Sequence, residues 1–212
     1  MIDYSKLGDK DRKNEFAVLD EFKDLTVEEL RAIQDQQTFP FAICLLNVTG
    51  ELNVGSAIRS ACAMGAKEVV IFGRRWIDNR STVNSLNYIR VSRIFGLKED
   101  GVSIDPKPFW EMVDDNNYIP VFCETGGQSL ADFNWWKLIM SKNWNVDGVT
   151  SYATLKYKPL LVFGTERSGI PEEFMENGIR VSIPMIGVLR SINVSAAVAM
   201  FIWDLKTKMK WY

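Results

Sequence analysis

The chain changes character at Pro40. Before it the sequence is polar and charged, with the pattern Thr26-Val-Glu-Glu29 that opens a helix by mutual capping and predicts a short helix through about Gln34. Residues 1–38 therefore read as an N-terminal helical extension. After Pro40, short apolar runs alternate with helical spacing: FAICLL at 41–46, a helix from about 54 to 64, then EVVIF at 68–72. This is a β-α-β unit. Further on, a helix is predicted near 108–117, strands at 118–124, 159–164 and 179–185, and a last helix over 193–210. The strand runs are too apolar to alternate with period two, as expected when both faces of a sheet are buried. The fold class is α/β, a parallel sheet with helices on both faces. Residues 129–158, with three tryptophans, fit that plan poorly and read as an inserted helix and loop. Their aromatics, Trp135, Trp136, Trp144, Tyr152 and Tyr157, could stack on unpaired bases or pack as anchors, the commoner fate of tryptophan.

Length and composition suit this picture. The 212 residues, 47% of them apolar, accommodate one α/β domain over 39–212 plus the extension. No apolar stretch reaches the roughly 20 residues that span a bilayer, and MIDYSKLGDKDRKNE lacks the apolar centre of a signal peptide. A soluble, cytoplasmic protein without a membrane partner is expected. Cys44, Cys62 and Cys123 are scattered without metal-ligand spacing, so neither disulfides nor a metal are expected. The absence of histidine narrows the chemistry further, excluding Ser-His-Asp and Cys-His catalysis and histidine proton shuttles. Net charge is only −2, yet residues 73–96 hold five arginines against one aspartate. Arg74, Arg75, Arg80, Arg90 and Arg93 could meet an RNA backbone, or form an ordinary solvated face.

Ligands of open parallel sheets bind where strands end, which directs attention to three loops. Asn53 and Arg59 follow the first strand, Gly164-Thr-Glu-Arg-Ser-Gly169 follows PLLVF, and Pro184 to Asn193 follows IRVSI. Gly50 and Gly55 have the outer spacing of a phosphate loop, but Ser56 and Ala57 stand where Lys and Ser/Thr would be required. Asn53 and Asn193 are also good helix caps, and the glycines could merely permit turns. Arg59 lies in a small, apolar helix, where an inward guanidinium would need an anionic partner such as Glu166.

Taken together these loops resemble the three motifs of the SpoU/TrmH family, the 2'-O-ribose RNA methyltransferases of the SPOUT class. Asn53-Val-Gly-Ser-Ala-Ile-Arg59 is similar to the first, Phe163-Gly-Thr-Glu-Arg-Ser-Gly169-Ile-Pro to the second, and Ile183-Pro-Met-Ile-Gly-Val-Leu-Arg-Ser-Ile-Asn-Val-Ser195 to the third. The resemblance spans about 41 to 210, in the family's order. It implies a C-terminal deep trefoil knot, an arrangement that general topology rules would not suggest. It also implies S-adenosylmethionine as cofactor, a homodimer packed through the C-terminal helix, and methyl transfer to a ribose 2'-hydroxyl of tRNA or rRNA. The catalytic positions fall on Arg59, Asn53, Glu166, Ser191 and Asn193. The cofactor positions fall on Thr125, Gly126, Gly164, Ile183, Met185, Ser191 and Ile192. Independently, VSAAVAMFIWDL is apolar nearly all round, which suits a core or subunit interface. The chain departs from the pattern in Ser-Ile-Asn for the usual Ser-Leu-Asn, a volume-conserving change, and in the long 125–164 connection. Base methylation by a SPOUT enzyme, or a non-catalytic RNA-binding protein of this fold, are the alternatives; the presence of Arg59 with Ser191 and Asn193 speaks against the second.

Overall fold

The computed structural model describes residues 18–48, 50–73, 79–100, 103–143, 154–165 and 167–212. Its first helix, α1 (Val27–Gln36), begins as the capping pattern requires: Thr26 Oγ1 accepts from the Glu29 amide at 3.3 Å, and the Glu29 carboxylate accepts from the Thr26 amide at 2.8 Å. Leu30 carries this helix into the main core.

Strand β1 (Phe39–Leu46), helix α2 (Glu51–Ala63) and strand β2 (Ala66–Phe72) follow as a β-α-β unit. Then come β3 (Arg90–Ile94), α3 (Pro106–Asp115), β4 (Tyr118–Ser129), α4 (Trp135–Asn143), β5 (Lys158–Phe163), α5 (Glu172–Met175), β6 (Ile179–Ser182) and α6 (Val194–Met209). The six strands form one parallel sheet in the order β3-β2-β1-β5-β4-β6. Alternation survives in β1, hidden by burial on both sides: Phe41, Ile43 and Leu45 face the core beneath α1, α2, α4 and α6, while Ala42, Cys44 and Leu46 face α3 and α5. Burial raises the Cys62 thiol to about 11, so this cysteine behaves as a small hydrophobe.

The structure corrects several boundaries read from sequence. Residues 90–94, for which the sequence suggested no strand, form an edge strand: among the described residues it pairs with β2 alone, and RVSRI sends Val91 into one core while Ile94 packs against the other. Helix α2 starts at Glu51 with Gly50 as its cap, so Asn53 lies inside the first turn and not at the cap position. Strand β4 runs five residues beyond Glu124, and β6 stops at Ser182, short of Met185. In the tryptophan-rich segment, Trp135 is an anchor, fully buried with its indole Nε1 donating to Asp204 at 2.7 Å, whereas Trp136 is exposed. Trp144 and Tyr152 lie outside the described residues.

Gly55 has a packing reason unrelated to phosphate. A Cβ there would stand 1.8 Å from Ser81 Oγ, because the short 79–82 turn lies directly on α2. Among the described residues, no helix is long and apolar enough to cross a membrane.

Candidate functional site

Parallel strands all end on the same side of the sheet, so the loops leaving β1, β4, β5 and β6 are neighbours by construction. The first wall of the site arises from a fault in the β4–β6 ladder. Cys123 and Gln128 both register with Val181, so Glu124 to Gly127 leave the sheet between them. Gly127 permits β6 to pass close by, since a Cβ would fall 2.5 Å from the Arg180 carbonyl.

A second wall is the loop after β5. Gly164 must lack a side chain because a Cβ would stand 2.4 Å from the Gly169 carbonyl. That close approach lets Thr165 and Gly169 exchange both backbone hydrogen bonds, at 2.9 and 3.2 Å, closing a tight loop. Thr165 Oγ1 accepts from the Ser168 amide at 3.0 Å and fixes its tip. Gly169 itself has φ of 65°, a left-handed conformation that costs a side chain about 1–2 kcal/mol. The third wall is the run from β6 to α6.

These walls enclose a cavity of about 290 Å³. Thr125, Gly164, Ile183, Met185, Ser191 and Ile192, all singled out from sequence, line it. Gly126, next to Thr125, is not on the wall; its φ is 79° and space is open where a Cβ would be. Phe163, Val194 and Phe201 supply an apolar floor, and Glu124, Arg167 and Arg190 add charge. Of these, Glu124 and Phe201 lie outside the motifs quoted from sequence, and none was assigned a role there. For Glu124 a signal existed: an acid ending an otherwise apolar strand, directly before a Thr-Gly turn.

Above the cavity, residues far apart in sequence meet. Asn193 Nδ2 donates to Asn53 Oδ1 at 2.8 Å across a separation of 140 residues. Asn193 also caps α6, its Oδ1 accepting from the Ser195 amide at 2.8 Å and from Ser195 Oγ at 2.6 Å. Arg59 does not point into the core, where it would have needed an anionic partner. It is exposed, on the outward arc of α2 that also carries Leu52 and Ala63, and it is not on the cavity wall. Glu166, the expected partner of Arg59, lies outside the described residues, as do Arg74, Arg75 and the side chain of Arg80. Arg90 and Arg93, three residues apart on β3, project to opposite faces of the sheet. No cluster among the described residues could hold a metal ion.

Comparison with known proteins gives a consistent picture. A model described as the SpoU rRNA Methylase family matches residues 40–203. A Bacillus subtilis protein named for the TrmH family of tRNA/rRNA methyltransferases, YacO, is 24% identical over 184 residues, covering 84% of this chain and 63% of its own length. The chain thus spans less than two thirds of that relative. Among solved structures, the SpoU methyltransferase AviRb from Streptomyces viridochromogenes in complex with AdoMet superposes with a TM-score of 0.60 at 21% identity, over 80% of this chain and 58% of its own. The A. aeolicus TrmH/SpoU tRNA modifying enzyme gives 0.63 at 17% identity, over 87% and 82%. At these identities the structural likeness is one of fold.

Proposed function

This chain belongs to the SpoU rRNA Methylase family, and from that premise we infer that it is an S-adenosylmethionine-dependent methyltransferase acting on a ribose 2'-hydroxyl of tRNA or rRNA. The observation that supports the reading is convergence: the second- and third-motif loops line one cavity, and the first motif, 140 residues before Asn193, is joined to the third by the Asn53–Asn193 hydrogen bond.

The cavity suits the cofactor. Its apolar floor offers a surface for an adenine ring, and the loops around Gly164 and Gly169 bring backbone groups closer than any side-chain-bearing residue could. Thr125, Gly164, Ile183, Met185, Ser191 and Ile192 would hold it, with Gly126 shaping the adjacent turn. When bound, S-adenosylmethionine supplies a methyl group already activated by its sulfonium. The chain's own residues must orient the ribose and help its hydroxyl lose a proton. Asn53 and Asn193, locked together, would set the position of the nucleotide, with Ser191 on the wall below. Arg59, exposed and available, would bind a substrate phosphate and stabilise developing alkoxide charge, with Glu166 orienting it. A guanidinium with a pKa above about 12 is a poor base, so its role is electrostatic. In this reading the run from Ile183 to Asn193 is the segment that closes the trefoil knot, and the protein works in the cytoplasm.

A homodimer through α6 completes the proposal. Val198, Phe201, Ile202 and Leu205 bury one face of that helix, while Ala196, Met200, Trp203 and Thr207 form an outward stripe at helical spacing. Trp203 is 67% exposed and Leu52, on the adjoining α2, is 64% exposed. A second copy seated there would cover both and lie beside Arg59. Sedimentation of the purified chain, with Trp203→Glu shifting a dimer to monomer, tests this part.

The activity is tested by incubating the chain with labelled S-adenosylmethionine and unmodified tRNA or rRNA, then identifying labelled nucleosides by mass spectrometry. A 2'-O-methyl nucleoside that disappears with Arg59→Ala is expected. A base-methylated nucleoside would overturn the ribose assignment; failure of the wild type to bind the cofactor would overturn the enzyme.

A further inference from the structure

Glu124 occupies the point where β4 abandons its ladder with β6, and it is the only carboxylate among the described residues on the cavity wall. Its oxygens are committed in two directions. Oε2 accepts from the Ile170 amide, in the loop after β5, at 2.9 Å. Oε1 accepts from the Thr125 amide at 2.9 Å and from Thr125 Oγ1 at 3.0 Å. One carboxylate thus spans 46 residues of sequence and joins two walls of the cavity.

We propose that Glu124 is a positioning residue for the cofactor: it tethers the β4 excursion to the second-motif loop and so holds the two walls at the spacing the cofactor needs. This rests on the cavity being the S-adenosylmethionine site. The excursion from Glu124 to Gly127 has left the β4–β6 ladder, and the Glu124 side chain fastens its first two residues. An ionised acceptor makes stronger hydrogen bonds to amides than a neutral one. It also has lone pairs enough to receive donors on both oxygens, which no glutamine can do, since one side of an amide presents N–H groups to the opposing donor. The loop is shaped to admit this carboxylate. A Cβ on Gly169 would lie 2.3 Å from Glu124 Oε2, so glycine at 169 is what allows the carboxylate to reach the Ile170 amide.

The test is calorimetric titration of the purified full chain with S-adenosylmethionine and with S-adenosylhomocysteine, beside RNA binding measured without cofactor. Glu124→Gln is expected to lose about ten-fold in affinity for both ligands, equivalent to about 1.4 kcal/mol, with RNA affinity unchanged and the amides of Thr125 and Ile170 exchanging faster with deuterium. Glu124→Asp keeps the charge but is one methylene short of spanning both donors, and should lose affinity for both ligands to a lesser degree. Should Glu124→Gln not fold, Glu124→Asp carries the test alone. Wild-type affinity in these variants overturns the tether. So does a loss confined to S-adenosylmethionine with Glu124→Asp unaffected, which would make Glu124 a direct charge contact. A wild-type chain that binds neither ligand overturns the cofactor reading itself, and the proposal with it.

Discussion

The two halves of the sheet do different things with similar sequences. Across β3, β2 and β1 the ladder is regular but for one shift near Phe39, and most strand residues are packed on one side or the other. Across β5, β4 and β6 the same apolar composition is interrupted by four residues that leave the ladder, and there the cavity opens. Regular pairing consumes backbone donors and acceptors. Breaking it frees them for a ligand, provided side chains such as Glu124 stabilise the break. The regular half is joined to the other through α2, where Asn53 accepts a hydrogen bond from Asn193 and Arg59 is exposed.

If that division holds, Arg59→Ala should separate turnover from cofactor binding. We expect turnover to fall by about 10²–10³, the usual consequence of removing a charge-stabilising donor, while calorimetry finds S-adenosylmethionine affinity unchanged. Equal losses in both would place Arg59 in the cavity's architecture and blur the contrast between the halves.

The irregular half should be intolerant where its loops touch and tolerant where they do not. Gly164→Ala drives a Cβ into the Gly169 carbonyl, whereas Gly187→Ala meets nothing within 4 Å. The first should cost about 1–3 kcal/mol in denaturant unfolding, as overpacking does, and weaken cofactor binding. The second should stay within about 0.5 kcal/mol, as surface changes do.

The link between the halves can be weighed by a pair of variants. Asn193→Ala removes both the bond to Asn53 and the cap on α6, for which about 0.5–2 kcal/mol is typical. Asn53→Ala removes the bond but leaves the α6 cap in place. Thermal unfolding should rank them in that order, and equal effects would show that the cap contributes nothing.

The smallest effect belongs to the end of the sheet away from the cavity. There Tyr118, at the start of β4, donates its hydroxyl to Glu68 of β2. Burial, then that bond and the Glu68 charge, hold the phenol protonated well above its ordinary range. Because the folded-state pKa is raised, the stabilisation is complete below about pH 10, the unfolded value, and is lost as pH rises further, by at most about 1.4 kcal/mol per pH unit. Tyr118→Phe should therefore flatten the alkaline limb of stability against pH, whatever the loss of the Glu68 hydrogen bond costs near neutrality. An unchanged alkaline slope would remove this assignment.

How far sequence alone reaches can be judged residue by residue. The capping pair Thr26 and Glu29 was legible because four consecutive residues carry all of its geometry. The two-sided burial of FAICLL was legible because both faces of the strand must be apolar, and the cavity-lining glycines because they follow such strands. The edge strand at 90–94 was not, since Arg90, Ser92 and Arg93 dilute the apolar pattern that marks a buried strand. The orientation of Arg59 was hidden for the opposite reason: its neighbours are apolar, but helical geometry turns it outward with Leu52 while Val54, Ala57, Ile58 and Ala61 face the core.

Sequence by itself determined the parallel α/β architecture, with helices on both faces of the sheet, and the strand-end loops that line the cavity, because periodicity and turn residues are local properties. Tertiary structure alone decided that Asn53 meets Asn193, that Ser81 makes Gly55 necessary, and that Glu124 ties β4 to Ile170. Each of these depends on register between strands and the approach of segments distant in the chain, which is set by the packing of the whole sheet and leaves no mark on the neighbouring residues.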